Sequence, residues 1–313
     1  MTTRLPHPDY YNHPALAPAA PDVNDQARAD AVNAFAPMFQ RNYAEWLRIG
    51  RADFDARIEG PGDAILQTLQ RDGVALTRID PELKAQIVEA TQAEVDAIEA
   101  RLAAFEGKPK FRDMNVQLQR AEWGGLYKTV QKAFDRLGVL QVGGAYVKAP
   151  LRIKRLYVQL NNEHETRLRY GAIDEDGIPE RKSDYWHIDS DIWPNFKAIL
   201  YLNEVTLEEG PMRYIPGTHR DLDPFETVVR KTNDALKLPT AQFLALPDPL
   251  RMHALFGPYM KGDEPECQDL LRREIACCGD ADLVLFDNNG VHRGGFVRKG
   301  SRRIMQVLFE PVA

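Results

Sequence analysis

The chain has 313 residues, of which 44% are hydrophobic, with 46 acidic and 40 basic side chains and a formal charge of −6. That length can bury a sizeable core within one domain and its embellishments. The acidic balance argues against a general nucleic-acid or membrane-surface binder, and no apolar run is long enough to span a membrane.

Residues 1–24 carry Pro6, Pro8, Pro14, Pro18 and Pro21 with little to bury, so an extended, flexible arm is expected there. No charged segment leads into an apolar run, as a secretion signal requires. Asn24 or Asp25 caps a predicted helix towards Phe35. Pro37 interrupts it, and the pattern resumes through Phe39, Tyr43, Trp46 and Leu47. Gly60-Pro61-Gly62 reads as a break, with Asp63 capping a helix over Ala64 to Gln70. Pro81 opens a longer helix with Leu83, Ile87, Val88, Val95, Ile98 and Leu102 on one face. The expected organisation is one domain over 25–313. A helical part covers about 25–110, and a sheet-rich core covers about 111–313, with an insertion at about 221–276.

The run Arg155 to Asn161 alternates cleanly. Leu156, Val158 and Leu160 share one face of a strand, and Arg155, Tyr157, Gln159 and Asn161 share the other. A polar loop is expected from Leu168 to Asp184. Arg152, Lys154, Arg155, Arg167, Arg169, Arg181, Lys182, Arg213 and Arg220 make the middle of the chain locally basic. That pattern fits a solvated rim or a site for an anionic small molecule. Cys267, Cys277 and Cys278 form neither a disulfide framework nor a paired zinc spacing, so a reducing, cytoplasmic setting is expected.

His187, Asp189 and His292 are the candidate metal ligands. Residues two apart on a strand point to the same face, so His187 and Asp189 can grip one ion. His292 follows the apolar run Ala281 to Asp287 and can come from a neighbouring strand. Two histidines and a carboxylate occupy one face of an octahedral metal. They leave positions open for a co-substrate and dioxygen, as in non-haem Fe(II) oxygenases. Beyond His292, Arg302 and Arg303 open the strand Ile304 to Phe309.

These segments together resemble the phytanoyl-CoA dioxygenase-type group of Fe(II)/2-oxoglutarate-dependent oxygenases. The resemblance spans about residues 63–313. It includes Leu69 to Leu76, Glu209 to His219 with its Pro216-Gly217-Thr218-His219 ending, and Gly279-Asp280. It implies a mostly β chain with flanking helices around a double-stranded β-helix, a jelly-roll, cupin-like core. It also implies iron on His187, Asp189 and His292, dioxygen, and 2-oxoglutarate held by Arg302 or Arg303. In such a core the apolar side of the Arg155–Asn161 strand packs outward, which makes Tyr157, Gln159 and Asn161 candidates for co-substrate contacts. If Met305, Val307 and Phe309 also pack outward, Arg302 faces the cavity with Ile304, Gln306 and Leu308. The Arg303 register would push the Gln306 amide into the helix-covered layer, where it needs a partner. The spacing from His292 leaves both arginines open. The implied reaction is hydroxylation of a small metabolite, and the presence of Asp189 favours hydroxylation, or desaturation and ring chemistry, over halogenation. A cupin-type metal enzyme without 2-oxoglutarate and a non-catalytic jelly-roll binder are the alternatives.

Overall fold

In the computed structural model, residues 58, 60–118, 124–170, 186, 187, 189, 196–219 and 271–312 are described. The Pro-rich arm, the helix expected after it, most of the loop before His187 and most of the insertion lie outside them.

Helix α1 spans Pro61–Asp72. It starts earlier than the break at Gly60-Pro61-Gly62 suggested. Pro61 lacks only a backbone donor that the first turn leaves unused, and its φ suits a helix. Gly73, at φ 79°, ends the helix by donating its N–H to the Leu69 carbonyl at 2.9 Å. Strand β1, Val74–Thr77, follows at once. Helix α2, Pro81–Ala103, is capped by the Asp80 side chain, which accepts from the backbone N–H groups of Glu82 and Leu83. Its buried face is Leu83, Ile87, Thr91, Val95, Ile98 and Leu102.

Next come β2 (Asn115–Leu118), α3 (Gly124–Leu137), α4 (Val139–Val147) and β3 (Leu151–Asn162). Helix α5, Glu163–Tyr170, takes up the start of the stretch expected to be loop. The remaining strands are β4 (Phe196–Tyr201), β5 (Arg213–Tyr214), β6 (Ile275–Ala276), β7 (Leu283–Asp287), β8 (His292–Arg293) and β9 (Ser301–Pro311). Helix and strand interleave across position 110, since β1 precedes it and α3 and α4 follow it. Among the described residues, no helix is long and apolar enough to cross a membrane.

Among the described residues the strands form two antiparallel sheets. The larger has six strands in the order β1-β7-β4-β9-β3-β2, and the smaller has three in the order β6-β5-β8. The outer face of the large sheet carries Leu156, Val158, Leu160, Leu200, Leu285, Met305 and Val307. It packs on Leu83, Ile87, Ile98 and Leu102 of α2 and on residues of α3 and α4 in one buried cluster. The inner face packs Tyr201, Val284, Phe286 and Ile304 against Met212 and Tyr214 from the small-sheet side. Because β7 is covered on both faces, all five of its residues are buried, which explains its unbroken apolar reading. This is the mostly antiparallel β core with flanking helices that the resemblance implied.

Helix α4 approaches the sheet closely. An added Cβ at Gly143 would lie 1.9 Å from the Phe196 ring, which itself stacks on Phe309 at 4.6 Å between centroids. Gly143→Ala is therefore expected to destabilise the fold by about 1–3 kcal/mol through overpacking. The change should appear as a lower urea midpoint with an unchanged slope. An unchanged midpoint would mean that α4 can move away at no cost.

Candidate metal centre

The two histidines come together because their backbones pair. His187 and His292 exchange hydrogen bonds in an antiparallel bridge, N to O at 3.0 and 2.9 Å, and the Asp189 N–H donates to the Asn288 carbonyl at 2.8 Å. The loop leading to His292 is fixed from inside. The buried Asp287 carboxylate accepts from the Asn289 backbone N–H at 2.8 Å and from the Tyr146 hydroxyl at 2.6 Å. The Tyr214 hydroxyl donates to the Asp287 carbonyl at 2.9 Å. Gly290 is required here, because a Cβ would fall 1.7 Å from that hydroxyl.

His187, Asp189 and His292 each offer a ligand atom, and these atoms lie within 4.8 Å of one another. His187 Nε2 is 3.8 Å from Asp189 Oδ1. His292 Nδ1 lies 2.8 Å from the Gly290 carbonyl. A carbonyl only accepts, so Nδ1 carries the proton and Nε2 keeps its lone pair. The donor set is two imidazoles and one carboxylate on one face, which suits a divalent iron with open positions. His219 is buried but stands apart from this group, packed over Gly73.

Lys197, at the start of β4, forms an ion pair with Asp189 Oδ2. Burial pushes the Asp189 carboxyl up, but Lys197, with His292 and His187, outweighs it and holds the group well below the usual carboxylate range. The sequence reading missed this lysine. The available signal was its place in Phe196-Lys197-Ala198-Ile199-Leu200-Tyr201, where alternation puts Lys197 on the face of Ile199 and Tyr201.

Beside the metal group is a cavity of about 170 Å³, lined by Gln159, Lys197, Tyr201, Arg302 and Gln306 among others. Arg302 faces into it and is 6% exposed. It donates to the Gly295 carbonyl at 2.9 Å and to Asn161 Oδ1 at 3.1 Å. Arg303 points the other way, to the helix layer, where it meets Glu99 of α2 at 3.5 Å. Register explains the division. Asn161 pairs with Arg302, Gln159 with Ile304 and Tyr157 with Gln306, so these residues share the inner face. Gln159 donates to Asn161 Oδ1 at 2.7 Å, and Gln306 donates to Gln159 Oε1 at 2.7 Å. Tyr157 turns to Gln117 at 2.9 Å and is not among the cavity's lining residues.

The basic stretch is largely an ion-paired surface. Arg152 and Lys154 meet Glu310, Arg167 meets Glu163, and Arg213 meets Glu274. Arg181, Lys182 and Arg220 lie outside the described residues. Cys277 and Cys278 are free, and burial pushes the Cys277 thiol far up, away from reactive thiolate.

Comparison with known proteins adds a family. No curated protein sequence matches the chain. The chain is similar to several solved structures at low identity. AviO1 from Streptomyces viridochromogenes Tue57 is 15% identical with a TM-score of 0.46, over 84% of this chain and 98% of that one. EctD from S. alaskensis in its apoform is 16% identical with a TM-score of 0.48, over 84% and 83%. The non-haem α-ketoglutarate-dependent epimerase SnoN from nogalamycin biosynthesis is 16% identical with a TM-score of 0.44, over 80% and 82%. The phytanoyl-CoA dioxygenase (PhyH) family matches over residues 69–305, well over half of the chain and inclusive of the metal group and both arginines. On that match and the His-Asp-His group, the chain belongs to the phytanoyl-CoA dioxygenase family of iron- and 2-oxoglutarate-dependent oxygenases.

Proposed function

We propose that the protein hydroxylates an unactivated C–H bond of a small anionic metabolite. In this reading His187, Asp189 and His292 hold the iron, and Arg302 takes the distal carboxylate of 2-oxoglutarate. The observation that carries it is the convergence of the ligand group and a buried, inward-facing guanidinium on one cavity. When bound, iron and 2-oxoglutarate supply the activation of dioxygen, with release of succinate and carbon dioxide. The chain's own residues position and exclude. His292, fixed through Gly290, presents Nε2. Asp189 presents Oδ1 while Lys197 occupies Oδ2. Arg302 offers a charge-assisted pair to a carboxylate in a setting with little access to water. Gln159 and Asn161 support that pair, whereas Tyr157 is engaged by Gln117 and takes no part in it.

The anionic substrate class rests on the lining charges. Lys197, Arg293 and Arg302 face one carboxylate, Asp189, among the described lining residues. Ferrous iron and 2-oxoglutarate carry equal and opposite charges, so loading both adds no net charge to that lining. The free thiols at Cys277 and Cys278 support a cytoplasmic location. A screen of anionic metabolites for substrate-stimulated succinate release tests the reading, with their neutral esters expected to be poorer. Asp189→Gly is expected to lose stimulated turnover, since the metal group loses its one carboxylate among the described residues. Wild-type turnover in that variant would assign the role to another acid. Stimulation by neutral esters alone would overturn the anionic class.

A further inference from the structure

The arginine that faces the cavity is held by a chain of amides whose orientations follow from one buried acid. Strand β3 runs directly into α5, and this junction sets Glu165 one helical turn beyond Asn161. The Asn162 side chain accepts from the Glu165 N–H at 2.8 Å and so fixes the turn. Glu165 is fully buried. Its Oε1 accepts from Asn161 Nδ2 at 2.8 Å. A carboxylate accepts and does not donate, so it can face only the amino end of the asparagine amide. The carbonyl end, Oδ1, is thereby turned to its two donors, Arg302 at 3.1 Å and Gln159 Nε2 at 2.7 Å. Gln159 must then show Oε1 to Gln306, which donates to it at 2.7 Å. An asparagine flipped the other way would put its amino group against a guanidinium, donor against donor.

We propose that Glu165 is a positioning residue of the co-substrate pocket, acting through Asn161 to aim Arg302 into the cavity. This rests on the reading that Arg302 receives the 2-oxoglutarate carboxylate. The hydrogen bonds of Glu165 lead through Asn161 to Arg302, so it sets affinity for the keto acid and not for the metal. Glu165→Met removes the acceptor, leaves the Asn161 amide free to flip, and keeps much of the buried volume. Glu165→Gln keeps an acceptor at the same place.

The test is calorimetric titration of Mn(II)-loaded protein with 2-oxoglutarate, with Mn(II) affinity measured separately, for both variants and for Arg302→Ala. Glu165→Met is expected to weaken 2-oxoglutarate by about tenfold or more, and Glu165→Gln to recover to within about threefold of wild type. Mn(II) affinity should be unchanged in both. Wild-type affinity in Glu165→Met, with Arg302→Ala weakened, overturns the role of Glu165 and leaves the arginine reading standing. Equal weakening in Glu165→Met and Glu165→Gln overturns it too, because charge or packing then matters and amide orientation does not. Wild-type affinity in Arg302→Ala overturns the arginine reading and this proposal with it. If Glu165→Met does not fold, the near-isosteric Asn161→Asp carries the test. It sets a competing carboxylate against Arg302 and should also weaken 2-oxoglutarate by about tenfold or more with Mn(II) affinity kept. Unchanged 2-oxoglutarate affinity there overturns the proposal.

Discussion

His292→Ala is expected to abolish metal binding. The side chain is 7% exposed, and its ring is turned by the Gly290 carbonyl so that Nε2 meets the His187–Asp189 pair. Alanine removes one of three donors without disturbing the backbone bridge that joins residues 187 and 292. What remains is one imidazole and a carboxylate already engaged by Lys197. Loss of a partner that only orients a ligand costs 10–100-fold in metal affinity as a rule. Loss of the ligand itself should exceed about 100-fold on that scale. Anaerobic equilibrium dialysis with Fe(II), or calorimetry with Mn(II), reads the effect. His164→Ala serves as a control, because His164 is exposed and stands outside the group. Wild-type metal affinity in His292→Ala would remove this histidine from the ligand set.

The second large effect separates the two arginines. Arg302 is buried on the inner face of β9, whereas Arg303 lies on the helix side with its side chain 31% exposed. Truncating one partner of a buried charge pair leaves the other unpaired and costs about 2–5 kcal/mol. At about 1.4 kcal/mol per tenfold, Arg302→Ala should raise the apparent 2-oxoglutarate constant roughly 30-fold or more. Arg303→Ala loses an exposed contact with Glu99, worth under about 1 kcal/mol, and should leave the constant nearly unchanged. Titration of both variants with 2-oxoglutarate at fixed metal decides between them. A crippled Arg303→Ala would place the carboxylate on the other face of the strand. Two unaffected variants would remove the keto acid from this cavity.

Much of this was legible in the sequence because strand alternation is a strict period. The alternation in Arg155 to Asn161 separates the residues that pack on helices from those that face inward, and β9 follows the same rule across the pairing of Asn161 with Arg302. His187 and Asp189, two apart, share a face for the same reason. Other features carry no periodic signal. The run Val139-Leu140-Gln141-Val142-Gly143-Gly144-Ala145-Tyr146-Val147 is short, apolar and glycine-bearing, so pattern alone does not choose between helix and strand. Its helical state goes with close packing of Gly143 on the sheet. Glu165 sits in Glu163-His164-Glu165-Thr166-Arg167, a charged stretch that reads as solvated surface. The turn from β3 into α5 brings it back over Asn161. For the basic residues around 152–167 the sequence left a solvated rim and an anion site both open, because partners such as Glu310 are distant in sequence; the structure pairs Arg152 and Lys154 with Glu310 at the surface.

In the proposed reading iron and 2-oxoglutarate share one site on His187, Asp189 and His292. The most direct measurement is visible absorption under anaerobic conditions as Fe(II) and 2-oxoglutarate are added to the protein. A weak charge-transfer band should appear only when both are present, saturate at one of each per chain, and vanish in His187→Ala and His292→Ala. An unchanged band in His292→Ala, or no band in the wild-type protein at saturating concentrations of both, would contradict the claim.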